Sequence, residues 1–152
     1  MNLALTSRLL SIVSMFEAAV AAVEDLILMM ATFVVNKGLD ITTNRIQGAG
    51  TSPNWVAWGT GAGTTAKTDT TLFTEAAEAR TSGTMSQVTT TVTNDTFQVV
   101  GTITSLSAQT ITNAGLFDAA ASGNLYLKGD FSGLPLAIGD SIQFTFKAQY
   151  TN

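Results

Sequence analysis

Residues 3–35 contain neither glycine nor proline and consist mainly of Leu, Ala, Met, Glu, Ile and Val. No other stretch restricts the chain so strongly, because it must be covered by something other than water. Thr6 or Ser7 supplies a start cap, and Asn36-Lys37-Gly38 supplies a stop, with a cation at the end and a glycine for a left-handed cap. The composition predicts one long helix, about 45 Å at 1.5 Å per residue. That is far more than a small domain needs for its own core.

The apolar spacing supports the helix. Leu9, Ile12, Phe16, Ala19, Val23, Leu26, Met30 and Phe33 step by three and four in strict alternation, a heptad seam. Val13, Val20, Ile27 and Val34 flank it every seventh position. So wide an apolar face suits a bundle or a docking surface, and these eight seam residues are the predicted interface. A membrane span is disfavoured, because Glu17, Glu24 and Asp25 interrupt the run and each central acidic residue costs about 2.5–3.5 kcal/mol on insertion. A signal peptide is disfavoured by the length and acidity of the same run.

At 152 residues the chain predicts one β domain, residues 37–152, preceded by an arm, residues 1–36. Charged residues make up 12 %, about half of the usual 25 %, so much of the surface is expected to face protein. The chain has no His and no Cys. This excludes thiol and His-based nucleophilic catalysis and zinc sites built on these side chains. A net charge of −4 without a basic stripe argues against nucleic acid as a partner.

Beyond residue 36 the chain is threonine-rich and punctuated by Gly, Asn and Ser, a strand-forming composition. Ser141 to Tyr150 alternates Ile142, Phe144, Phe146, Ala148 and Tyr150 with polar residues, so one face is buried and one is wet. Thr96 to Thr104 places Phe97, Val99 and Ile103 on one face, with Gly101 marking a bulge or close approach. Met85–Thr93, Gln109–Asp118, Asn124–Phe131 and Trp55–Trp58 complete the set. Asn94-Asp95 supplies hairpin turn chemistry. Six or more short antiparallel strands imply a sandwich or barrel-like domain. The predicted class is therefore mainly β with one long N-terminal helix (α+β). Leu72–Arg80 reads as a short helix or an extended arm.

Signals for chemistry are weak. Gly59-x-Gly61-x-Gly63 lacks the following helix of a dinucleotide site and the Lys of a P-loop, and reads as a flexible surface loop. Glu75 and Glu78 with Arg80 read as solvated or interface charges. Asp95, Asp118, Asp130 and Asp140 fall at turns, where Asp satisfies backbone groups. Trp55 and Trp58, three apart on a strand, face opposite sides. No catalytic, cofactor or metal residue is predicted, and the expectation is a non-enzymatic protein.

Several segments together resemble small virion proteins of tailed bacteriophages. They are Gly38-Leu39-Asp40, Trp55 to Gly61, Asp69-Thr70-Thr71-Leu72 with Glu75 and Arg80, Ile111 to Asp118, Asn124 to Phe131 and Gly139 to Phe146. The resemblance implies a capsid decoration (cement) protein: a homotrimer of β domains on the outer capsid surface, made in the bacterial cytoplasm, that stabilises the shell by binding the major capsid protein. Two alternatives stay open. One is a tail- or fibre-associated receptor-binding protein. The other is a membrane-anchored or pilin-like subunit.

Overall fold

The computed structural model describes residues 20–21, 25–29 and 33–151. Eight strands and one helix lie between residues 33 and 151: β3 Phe33–Val34, α1 Asn36–Ile46, β4 Trp55–Gly59, β5 Thr81–Ser82, β6 Thr84–Val88, β7 Thr96–Thr104, β8 Gln109–Phe117, β9 Leu125–Leu136 and β10 Ser141–Gln149. Two further strand segments, β1 Val20–Ala21 and β2 Asp25–Met29, extend one sheet. The order is β1-β2-β10-β7-β6 in sheet A and β3-β9-β8-β4-β5 in sheet B.

The long helix expected over residues 3–35 is corrected here. Of its described positions, Val20–Ala21, Asp25–Met29 and Phe33–Val34 are all strand, and the helix of the fold has 11 residues and begins at Asn36. A continuous apolar run reads alike as a buried helix or a buried strand, and periodicity alone does not separate them. Ladder partners decide it: β2 finds β10, and β3 finds β9.

The stop signal is also displaced. Gly38 lies inside α1, buried, and a Cβ there would strike the Tyr126 carbonyl. The true stop is Gln47-Gly48. Gly48 has φ +81°, its N–H donates to Arg45 O, and Ala49 N–H donates to Asn44 O at 2.8 Å. These paired bonds form a Schellman motif, which satisfies the last carbonyls of the helix.

The two sheets enclose the main core. Trp58, Ile111, Leu116 and Leu127 from sheet B meet Val99, Ile103, Ile142, Phe144 and Phe146 from sheet A. The alternation read in β10 and β7 is present, with Ile142, Phe144, Phe146 and Ala148 buried between partly exposed neighbours. Gly101 is a close approach, since a Cβ there would sit 2.7 Å from Val56 Cγ2. Gly83 does similar service where the chain leaves β5 in sheet B for β6 in sheet A.

Residues 60–80 contain no helix and fold over the outer face of sheet B. They cover a second, smaller core of Val35, Ala57, Leu72, Phe117 and Leu125, with Trp55 against it. This explains why β8 is buried on both faces at its end, Asn113 to Phe117. As the spacing of the tryptophans predicts, Trp58 faces the main core and Trp55 the outer one.

Candidate functional site

Four of the segments that carried the phage resemblance, Trp55 to Gly61, Asp69 to Leu72, Ile111 to Asp118 and Asn124 to Phe131, take part in the ties that hold the 60–80 arm on its sheet. A register shift between Ile111 and Asn113 sets the single residue Thr112 against residues 131–133, a bulge in β9. Asn113 is fully buried; its Oδ1 accepts from Phe73 N at 3.0 Å and its Nδ2 donates to Phe73 O at 3.1 Å. The side-chain amide thus pairs with the arm as another strand would. Gly59, Gly61 and Gly63 leave room for that approach: a Cβ on Gly59 would lie 2.5 Å from Phe73 O, and one on Gly63 2.6 Å from the Phe73 ring. The glycine run is therefore a close-packed backbone contact, not the flexible loop expected from its sequence.

Two charged residues are buried to the same end. Lys128 is fully buried, donating to Asp69 Oδ2 at 2.8 Å and Thr71 O at 3.1 Å, with its ammonium 3.0 Å from the Phe73 ring centre. Glu78, expected to be solvated, is nearly buried and accepts from Trp58 Nε1 at 3.1 Å, from Leu106 N at 3.0 Å and from Gln109 Nε2. Burial is the strongest influence on the Glu78 carboxyl and pushes its pKa up, but these donors together hold it below the ordinary value. Glu75 and Arg80 form a two-pronged ion pair, 2.7 and 3.0 Å, and the guanidinium lies 3.4 Å from the Phe117 ring centre. Asp95, Asp118 and Asp140 accept backbone N–H groups at turns, as read from the sequence, whereas Asp130 lies within β9 and accepts from Thr65 N on the 60–80 arm at 2.7 Å.

A concave surface lies elsewhere, where α1 crosses the end of the sandwich. A groove of about 470 Å³ is lined by Ile41, Ile46, Pro53, Phe97, Tyr126 and Tyr150, with Thr42, Arg45 and Ser52. The Phe97 and Tyr126 rings meet edge-on at 6.1 Å. The Thr42, Tyr126 and Tyr150 hydroxyls lie 3.3–3.5 Å apart, one polar cluster on an apolar wall. Burial pushes the Tyr126 phenol up, so it stays neutral at physiological pH. Arg45 is turned to the chain, donating to Gly50 O at 2.7 Å and Ala49 O at 3.3 Å. Ile46 and Tyr150 stand 81 % and 55 % exposed on its rim. The arrangement pairs no nucleophile with a base. It can bind, by apolar contact and hydroxyl hydrogen bonds.

Sequence reasoning did not find this groove, since its residues come from five separate segments, and Phe97 and Tyr150 were singled out as strand residues and not as a groove. Of the predicted interface, Leu26 lies on β2 and Phe33 on β3, the latter 55 % exposed. Leu9, Ile12, Phe16, Ala19, Val23 and Met30 lie outside the described residues.

A family model described as podophage GP4 fiber I protein gp80 matches residues 29–150. The chain belongs to this fibre family. It is accordingly a phage virion structural protein, and membership suggests a non-enzymatic role. The match spans the sandwich, the 60–80 arm and α1, and leaves residues 1–28 outside it. No curated protein and no solved structure matches the chain. Among the described residues no group of three or more His, Cys, Asp or Glu could hold a metal ion, and no helix is long and apolar enough to cross a membrane.

Proposed function

We propose that this protein is a structural module of a virion fibre, fixed to the tail apparatus and working as a self-associated assembly. The observation that carries this reading is the fibre-family match over residues 29–150. It favours the tail- or fibre-associated alternative over capsid decoration. The physics agrees with a load-carrying part: a two-sheet core, a second core under the 60–80 arm, and buried polar ties that fix the arm. Low charge fits a surface given over to protein contacts. The groove bounded by Ile46 and Tyr150 is the contact surface that we assign to a neighbouring virion protein or a host receptor.

The test is the stoichiometry of purified particles together with the mass of the free protein. A small, fixed number of copies per particle, released as oligomers, is the expected result. Hundreds of copies per particle would return the reading to a shell protein bound to the major capsid protein.

A further inference from the structure

Apolar side chains are exposed at both ends of the β7–β10 ladder. The two strands run antiparallel from Thr104 beside Ser141 to Thr96 beside Gln149, nine residue pairs that span about 26 Å. The groove lies at the second end, where Phe97 pairs with Ala148 and Tyr150 follows Gln149. The loops at the first end carry Leu106 and Ile138, 68 % and 73 % exposed. Single apolar residues on a surface are ordinary. These two share one tip: Ser105 N–H donates to Asp140 O and Gly139 N–H to Ser105 O, both at 2.8 Å, which laces the loops together.

The tip is fixed from beneath. Leu106 N–H donates to the Glu78 carboxylate at 3.0 Å, the Ser105 hydroxyl to Ser107 O at 2.7 Å, and Ala137 N–H to the Asp140 carboxylate at 2.7 Å. The nearly buried Glu78 thus holds the backbone from which Leu106 projects. Side chains presented on a fixed backbone lose less freedom on docking than those of a loose loop.

The two ends match in size and in charge. The groove of about 470 Å³, walled by aromatic and aliphatic side chains, has room for two branched aliphatic ones. Its lining holds one ionised side chain, Arg45, whose guanidinium donates to the neutral Ala49 and Gly50 carbonyls and so keeps its positive charge. The tip has the opposite sign: residues 105–109 and 137–141 include the exposed Asp140 and no basic residue, with Glu78 below them. Opposite charges across a contact speed the encounter and fix its register. Tip and groove lie at opposite ends of one chain, so neither can serve the other within a single copy.

We infer that the Leu106–Ile138 tip of one copy of this chain docks in the α1 groove of the next, with Asp140 facing Arg45, so that copies join head to tail. A contact that uses different surfaces on its two sides repeats into a ring or a filament. This rests on the self-association and the groove contact proposed above, and names a second copy as the occupant of the groove.

The test blocks one end of the full chain at a time and reads mass by sedimentation over a range of concentrations. Ile46→Asp puts a carboxylate on the groove rim, and Ile138→Asp puts one on the tip. Both positions are exposed, so both variants are expected to melt as the parent does. Arg45→Glu and Leu106→Asp replace them should either fail to fold. The parent is expected to gain mass with concentration, and each variant alone to stay at one smaller mass. Their mixture is expected at twice that mass, because the intact tip of one variant fits the intact groove of the other. If either variant keeps the mass of the parent, or if the two small variants do not pair when mixed, the tip-to-groove contact is overturned and self-association stands. A parent that is monomeric up to its solubility limit would overturn both.

Discussion

Glu78 and Lys128 show what single residues do here. Both are charged and both sit in the interior: Glu78, on the arm, meets donors of the sandwich, and Lys128, on β9, meets acceptors of the arm. Removing one partner of a buried pair is costlier than the pair is worth. Asp69→Ala, which strands the Lys128 ammonium, is expected to destabilise by about 3–5 kcal/mol, as read by urea denaturation. Trp58→Ala should cost about 3–5 kcal/mol as well, through the cavity it leaves in the main core. The pH dependence has a definite sign. Glu78 is held below its ordinary value of 4.5, chiefly against burial and by its hydrogen-bond donors. Asp69 is also lowered, with burial opposing and Lys128 prevailing. Depressed carboxyls stabilise the fold above the unfolded value and lose that contribution as the pH falls through the folded one. Thermal melting is therefore expected to weaken steeply below about pH 4, and Glu78→Gln to lower stability at neutral pH while flattening that fall. A melting temperature independent of pH from 7 to 3 would contradict this. None of these burials was readable in the sequence, because charged residues default to the surface and nothing local announces an exception.

At the scale of elements, strands with one wet face were readable and the N-terminal element was not. The alternation of β10 and the polar–apolar spacing of β7 follow from a period of two, which admits one face inward. The chain before Asn36 lacks that asymmetry: apolar residues occur at both helical and strand spacings, so the heptad seam from Leu9 to Phe33 was equally a strand signal wherever a partner edge existed. The helix α1 was missed for the opposite reason. It contains a glycine and three β-branched or short polar residues in succession, Ile41-Thr42-Thr43, a poor helix former by propensity. Packing of Ile41 and Gly38 against the sandwich and the Gly48 cap secure it. Gly48→Val places a β-branched residue in the left-handed region and is expected to cost about 1–2 kcal/mol, with the loss of helical signal confined to α1 and the groove. Gly59→Ala should separate the 60–80 arm from β8, exposing Trp55 to fluorescence quenching; unchanged quenching would show that the glycine run does not hold the arm.

For the whole molecule, the resemblance seen along the β region led to the right class of assembly, a phage virion, within which the family match supports the fibre alternative better than capsid decoration. Four of the quoted segments take part in ties that hold the 60–80 arm, so they report a shared scaffold and carry no information on where in the particle it is mounted. That information lies in surfaces, and the groove beside α1 draws its lining from Ile41, Pro53, Phe97 and Tyr150, which no linear pattern brings together. Because Ile46 is 81 % exposed, Ile46→Asp is expected to leave the melting temperature within about 1 °C of the parent, as surface changes usually do, yet to reduce infectivity of particles carrying it. The measurement closest to the central claim is electron microscopy of purified particles in which this protein bears a gold-binding tag. Gold confined to the tail region is the result the fibre reading predicts. Gold distributed evenly over the capsid shell would contradict it.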